Sequence, residues 1–375
     1  MVNDTVRLST INHKPSTMSN ALFILGMHRS GTSALSRVIN LLGAELGGRL
    51  MAAASDNERG FWEHESAVQI HEDLLRQLGH GWQDGTPLPE GWQEMEAAQD
   101  ASKQLAALID LDFLTAPLWA IKDPRLSLLF PLWLPLLKER GMQPHCIIAW
   151  RNPMEVAASL QKRDAMDENA ALLCWLAYTL ESMRHALPHP HAIIAYDDLL
   201  KDWRISMAKL GKDLGLNWPK TPSEVGAEID AFLAPELRHH QKKLALPESM
   251  IGSVVQDTLT LLHSGRLEET AVNALHQQWY QLAAPFAPLL REARAESFQW
   301  RNDALNARHQ AQDIATQMES LRSQYHMDLQ EYQQREQQFQ EILSQMEQQL
   351  HQLYDSTSWK LTEPLRRARK LFGNT

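Results

Sequence analysis

The chain has 375 residues, of which 44% are hydrophobic, enough to bury a full core as one large domain or two ordinary ones. Its formal net charge of −10 argues against nucleic-acid binding, which needs a basic face, and no stretch approaches the ~18 consecutive apolar residues of a membrane span. Cys146 and Cys174 lie in apolar stretches and read as buried small hydrophobes, no Cys/His spacing suggests a metal, and the polar residues 1–20 lack an apolar leader core, so a flexible first segment and a cytoplasmic location are expected.

The first predicted element is a strand over Leu22–Leu25. It runs into Gly26-Met27-His28-Arg29-Ser30-Gly31-Thr32-Ser33 and then into a helix, Thr32–Leu42, with Leu35, Val38, Ile39 and Leu42 at helical spacing. Strand, glycine-bracketed turn and helix N-terminus make an anion site, because backbone N–H groups point into the concavity and the helix dipole adds roughly half a positive charge. Gly26 and Gly31 are expected to keep side chains away where a phosphate approaches the backbone. A nucleoside-triphosphate loop reads G-x-x-x-x-G-K-S/T, with its Lys on the β- and γ-phosphates. Here the glycine spacing and Ser33 are present, but Thr32 stands at the Lys position and Arg29 is the only permanent cation inside the loop. Plain triphosphate hydrolysis is therefore disfavoured. The loop resembles the 5′-phosphosulfate-binding loop of sulfotransferases, and more closely that of bacterial sulfotransferase-like proteins carrying Arg in place of Lys.

A helix is predicted over Glu63–Leu78, with Val68, Leu74, Leu75 and Leu78 as apolar marks. Before it, Gly60 precedes Phe61, Trp62 and Glu63, a turn able to deliver a carboxylate into a cleft; a solvated helix start is the alternative. In the resembling family a carboxylate or His near this place is the general base, which implicates Glu63 with His64 as its competitor. Residues 79–100 read as an irregular insertion whose Trp82 and Trp92 are either sugar-stacking platforms or tethers to the core. The apolar strand beginning at Leu118 ends in Lys122-Asp123-Pro124-Arg125, before a predicted helix Leu126–Arg140. Ligands of open parallel sheets bind at strand carboxyl ends, so Lys122 and Arg125 are candidates for anion or acceptor contact, with Asp123 orienting one of them. A salt-bridged strand terminus is the alternative; the same string occurs in the resembling family.

A third strand, His145–Trp150, ends in Arg151-Asn152-Pro153, and a helix Met154–Arg163 follows with Pro153 in its first turn. Arg151 at the strand end and Ser159 two turns into the helix can converge on one anion, the first as a bidentate fork and the second as a hydroxyl donor. Their spacing resembles the 3′-phosphate-binding motif of sulfotransferases, and two phosphate motifs in this order identify the resemblance far better than either alone. Helix Asn169–Ala186 is apolar on most faces. A strand His191–Ala195 and a helix Asp197–Leu214 complete the alternation, with Asp197 and Asp198 read as helix-start acids. Alternating strands and helices predict an α/β fold: a P-loop-type parallel sheet flanked by helices.

Beyond Gly215 only helices are expected. Arg238 lies in a basic segment that, in the resembling family, folds back over the nucleotide. From residue 291 to 355 Gly and Pro are absent, and Met318, Tyr325, Tyr332, Phe339, Met346 and Leu353 recur every seven residues. That is a coiled-coil seam, interrupted at Asp328, Arg335 and Gln349, and it predicts a homo-oligomer. The tail, 356–375, is basic and amphipathic, suited to an anionic membrane surface or to capping the coil; its end resembles those on bacterial cell-surface-polysaccharide enzymes. The expected domains are thus 1–20, 21–290, 291–355 and 356–375. The resemblance, over Ala21 to Lys243, implies 3′-phosphoadenosine 5′-phosphosulfate as donor, a sugar hydroxyl as acceptor and no metal. It places Gly26, His28, Arg29, Ser30, Gly31, Thr32, Ser33, Arg151, Ser159 and Arg238 at the donor, with Arg29 also meeting charge on the bridging oxygen. A P-loop small-molecule kinase and a catalytically silent scaffold are the competing readings.

Overall fold

The computed structural model describes residues 19–54, 57, 59–233 and 245–372; Arg238 lies outside the described residues. In chain order the elements are β1 (Asn20–Leu25), α1 (Thr32–Leu41), α2 (Glu65–Gln77), α3 (Glu96–Asp112), β2 (Leu118–Lys122), α4 (Leu126–Leu129), α5 (Trp133–Glu139), β3 (Gln143–Trp150), α6 (Pro153–Asp164), α7 (Glu168–Ala186), β4 (His191–Ala195), α8 (Tyr196–Lys201) and α9 (Trp203–Leu214). Then come α10 (Pro222–Phe232), α11 (Met250–Ser264), α12 (Glu269–Ala283), α13 (Ala287–Asp355), α14 (Thr357–Leu361) and α15 (Glu363–Phe372).

Among the described residues the strands form one parallel sheet in the order β2-β1-β3-β4. Successive strand residues point to opposite faces, and both faces are covered. Phe23, Trp119, Ile121, Cys146 and Ile148 pack against one helical layer, while Leu22, Ile24, Ala120, Ile147 and Ile194 pack against α1, α9 and α10 on the other. Phe23 anchors β1 with edge-to-face contacts to Trp119, Phe130 and Trp133 at 4.9–5.8 Å. The chain runs outward from β1 to β2, then crosses back over β1 to reach β3. Strand order therefore reverses at β1 and β3, and the crevice beyond their carboxyl ends is where such sheets bind ligands. Both cysteines are buried, and burial pushes their thiols well up.

Three predicted elements differ. The expected helix Leu126–Arg140 is broken into α4 and α5 by a short 3₁₀ turn at Phe130–Leu132, where Pro131 has no N–H to continue the ladder. The expected helix Asp197–Leu214 is broken at Asp202, whose extended backbone and side chain cap Arg204 and Ile205 at 3.0 and 3.1 Å. The insertion 79–100 is irregular only to Glu94; α3 follows it, burying Ala98, Ala101, Leu105 and Ile109 at helical spacing.

The chain divides into two compact units between Glu296 and Ser297. Between the expected boundary at 290/291 and this division, Arg294 grips the buried Asp84 in a fork, Nε lying 2.9 Å from Oδ2. The second unit is helical, and within it the described side chains of α13 are exposed. Among the described residues no helix is long and apolar enough to cross a membrane.

Candidate active site

The loop after β1 is shaped by its neighbours. Gly26 has φ +144°, and a Cβ there would lie 2.2 Å from the Ala149 carbonyl oxygen of β3. Gly31, at φ +83°, faces the Tyr196 ring, which a Cβ would meet at 2.1 Å. The glycines are thus required by β3 and Tyr196, whatever else approaches the loop. The Gly26 N–H is also committed, donating to Ser127 Oγ at 2.9 Å. Arg29 adopts a left-handed φ of 68°, a conformation that costs a non-glycine residue free energy and clusters at functional sites. Ser30 is buried, and its Oγ has no hydrogen-bond partner. Beyond it the first-turn N–H groups of α1 have no acceptor within the helix, so the concavity keeps donors for an anion.

The end of β2 supplies the lysine that the loop lacks. Lys122 Nζ donates to Ser33 Oγ at 3.0 Å and to the Phe61 carbonyl at 3.2 Å, and it is paired with Glu63 Oε1. Both partners of the pair are almost fully buried. Burial pushes the Glu63 carboxyl above the usual range, with Lys122 pulling against it. Glu63 reaches the cleft through the turn at Gly60, helped by a left-handed Trp62 whose ring lies under the Arg37 guanidinium at 4.3 Å. His64 goes elsewhere: its Nδ1 accepts the Ala67 N–H that opens α2, and its Nε2 lies 2.6 Å from Asp112. Of the two candidate bases, Glu63 lines the cleft and His64 does not.

The motif after β3 faces the loop directly. Arg29 Nε donates to Ser159 Oγ at 2.8 Å, joining the two anion motifs across one cleft. Arg151 donates from Nε to Glu155 at 2.7 Å and stands over the Tyr196 ring at 5.2 Å. Burial raises the Tyr196 phenol, with Arg151 opposing, so it stays a neutral hydroxyl.

Arg125 is aimed by a buried chain of contacts. Trp133 Nε1 donates to His71 Nε2 at 3.1 Å, which leaves His71 Nδ1 to donate to Asp123 at 2.7 Å. Asp123 then accepts from the Arg125 backbone N–H and from Nη1 at 3.0 and 2.8 Å. Burial works to raise the Asp123 carboxyl, but Arg125 and His71 hold it well below the usual range. Glu72 takes the other arm of Arg125. Next to it, burial and then Arg125 keep the His28 imidazole well below its usual pKa and hence neutral. Trp82 stacks near His28 at 4.5 Å and under Arg163 at 5.3 Å, on the cleft wall, while Trp92 is buried in the core. The two tryptophans thus divide between wall and tether.

These parts enclose a cleft of about 1360 Å³ lined by seven cationic side chains and three carboxylates. In a chain of net charge −10 that surplus concentrates positive potential where an anion enters. His28, Arg29, Gly31, Thr32, Ser33, Glu63, Lys122, Arg125, Arg151 and Ser159 all line it, whereas Gly26, Ser30 and His64 do not. Sequence reasoning missed Arg59, Glu155, Lys162 and Tyr196. Glu155 stands four residues after Arg151, in the first turn of α6, and that i, i+4 spacing of opposite charges was present in the sequence. Tyr196 was visible only as a strand-end residue, and nothing local marks Arg59. Among the described residues no cluster of His, Cys, Asp or Glu is arranged to hold a metal ion.

No protein-family model and no curated protein sequence matches the chain. Among solved structures it is similar to the sulfotransferase STF1 from Mycobacterium tuberculosis H37Rv at 13% identity and a TM-score of 0.35, over 58% of this chain and 77% of that one. The sulfotransferase STF9 from Mycobacterium avium matches at 14% identity and a TM-score of 0.35, over 71% and 77% of the two chains. The sulfotransferase domain from the curacin biosynthetic pathway matches at 19% identity and a TM-score of 0.32, over 65% and 99%. Likenesses this distant carry no argument about function, and the fold stands on the strand order itself.

Proposed function

We propose that the chain is a sulfotransferase that moves a sulfuryl group from 3′-phosphoadenosine 5′-phosphosulfate to a hydroxyl on a cell-surface glycan or its precursor. The observation that carries the reading is the 2.8 Å bond between Arg29 and Ser159. It brings the residues that resemble the 5′-phosphosulfate loop and those that resemble the 3′-phosphate motif into one cationic cleft. The α1 amides, Thr32 and Ser33 would take the 5′-phosphate, and Arg151 with Ser159 the 3′-phosphate. The donor supplies an electrophilic sulfur. A bond forms from the acceptor oxygen to that sulfur while the bond from sulfur to the bridging phosphate oxygen breaks, leaving its electron pair on the bisphosphate. Arg29 and Lys122 offset the charge that grows there, and Glu63, whose carboxylate Lys122 positions, takes the acceptor proton. Little covalent work falls to the protein, so in-line placement and charge stabilisation supply most of the rate. The glycan acceptor is suggested by Trp82 on the cleft wall under Arg163, with Lys122 and Arg125 as further acceptor contacts. The basic tail, where Arg366 lies over Trp359 at 3.6 Å, would lie against the inner face of an anionic membrane, keeping a cytoplasmic enzyme near its acceptor; flotation with anionic vesicles tests this.

One observation favours a second reading. Lys122 Nζ beside Ser33 puts a lysine where a triphosphate loop needs one, as a small-molecule kinase would. Calorimetry separates the two: the sulfotransferase binds adenosine 3′,5′-bisphosphate well ahead of ATP, and equal affinities sink it. Radiolabelled donor incubated with a panel of glycans then identifies the acceptor.

A further inference from the structure

The seam on α13 is more than half exposed at each of Met318, Tyr325, Tyr332, Phe339, Met346 and Leu353. Leu321 and Ile342, in the partner row of the heptad, are more than half exposed as well. A helix stripe of this length is covered by another helix, and the order of residues along it says which helix and in which direction. Asp328 and Arg335 occupy the partner row seven residues apart. In a parallel in-register pair, Asp328 would face Asp328 and Arg335 would face Arg335, and Glu331 would flank Glu336. Like charges at such positions destabilise the pair.

Reversing one helix about a point near residue 330 removes these conflicts. In antiparallel coils each residue of one row packs beside one of the other row, so Met318 meets Ile342 and Leu321 meets Phe339. Tyr325 then lies beside Arg335, ring against guanidinium, and Tyr332 beside Asp328, hydroxyl against carboxylate. On the flank Arg322 meets Glu336 and Leu329 meets its own copy across the two-fold axis. Glu331 also meets its copy there, its charge offset by Arg335 at 2.6 Å along its own helix. This is the self-complementarity that a two-fold interface requires.

We infer that α13 pairs with α13 of a second copy of this chain as an antiparallel two-stranded coiled coil centred near residue 330. The pairing is independent of what the cleft binds.

Spin labels on the full-length chain read the direction. Ser344 is exposed on the outer face of α13, so Ser344→Cys leaves the seam intact, and the native Cys146 and Cys174 are buried from the label. In the antiparallel pair the two labels stand 28 residues apart along the axis, ~42 Å; in a parallel pair they face each other at about 20 Å. Mixing Thr316→Cys chains with Ser344→Cys chains brings unlike labels to the short distance only if the pair is antiparallel. A dimer by light scattering with the long Ser344 distance supports the inference. A short Ser344 distance, a monomer or a higher oligomer overturns it.

Discussion

Helices α7 and α13 both carry charges among the apolar residues of one face, yet those faces end in opposite surroundings. On α7 the charged Glu181 is buried, and it is met inside its own unit by Arg184 at 2.6 Å and by His276 of α12 at 3.1 Å. Burial works against its charge, but His276 and the neighbouring cations hold the carboxyl down at about 2. On α13 the seam's Asp328 stands in solvent, as does Arg335, which pairs with Glu331 one turn earlier on the same helix at 2.6 Å. A charge buried in a core needs its partner folded beside it; a charge in an exposed seam can leave its partner to another chain. Chemistry is accordingly expected from the first unit and association from the second, and that division is open to being broken.

The hardest blow to it would come from Arg29. Arg29→Ala should lower kcat by ~10²–10³, the usual loss when a donor to developing charge is removed, with a smaller change in donor affinity. Arg29→Lys should retain part of the rate. An unchanged kcat with a raised KM for donor would reduce Arg29 to a ground-state ligand. Next in size is Arg151→Ala, which removes a charge-assisted fork worth ~1.5–3 kcal/mol. Calorimetry should show bisphosphate binding weakened about tenfold to a hundredfold and the preference over ATP largely gone.

How much of this was legible follows from how local each feature is. The loop, Arg151 with Ser159, and the alternation of strands and helices are patterns within short windows, and the sheet assembled from them as expected. The breaks at Pro131 and Asp202 were readable from proline and N-cap chemistry, and α3 from the spacing of Ala98, Ala101, Leu105 and Ile109. What could not be read is convergence. Lys122 meets Ser33 from 89 residues away, and Tyr196 sets the need for Gly31 from the start of α8. His64 and Glu63 are neighbours in sequence, but the first turn of α2 sends one to Asp112 and the other to Lys122. Side-chain direction at a helix start decides that, and composition does not report it.

A gentler test acts on the buried half of the comparison through pH. Burial depresses His185 from 6.5 to about 4, with Glu181 opposing. Below pH 6.5 the unfolded chain takes up a proton that the folded chain refuses until about pH 4. Stability should therefore fall as pH falls across that window, by at most ~1.4 kcal/mol per pH unit from this group. Urea midpoints measured from pH 7 to 4 check the slope, and His185→Gln should flatten it. An unchanged slope in that variant would assign the acid sensitivity to other histidines.

The smallest expected effect is the most telling for the division of labour. A chain ending at Glu296 keeps Arg294 on Asp84 and retains every residue placed in the cleft. Its bisphosphate affinity should stay within about twofold of the full chain's, a shift of less than ~0.5 kcal/mol, since no residue placed in the cleft is removed. It should also be monomeric, having lost the seam. A chain ending at Leu290 differs by only six residues but leaves Asp84 buried without its guanidinium, at a cost of ~1–3 kcal/mol. Thermal melts should therefore separate the two truncations, with the shorter one less stable. Equal melting would return the boundary to 290/291, and a dimer that survives the cut at Glu296 would move association into the catalytic unit.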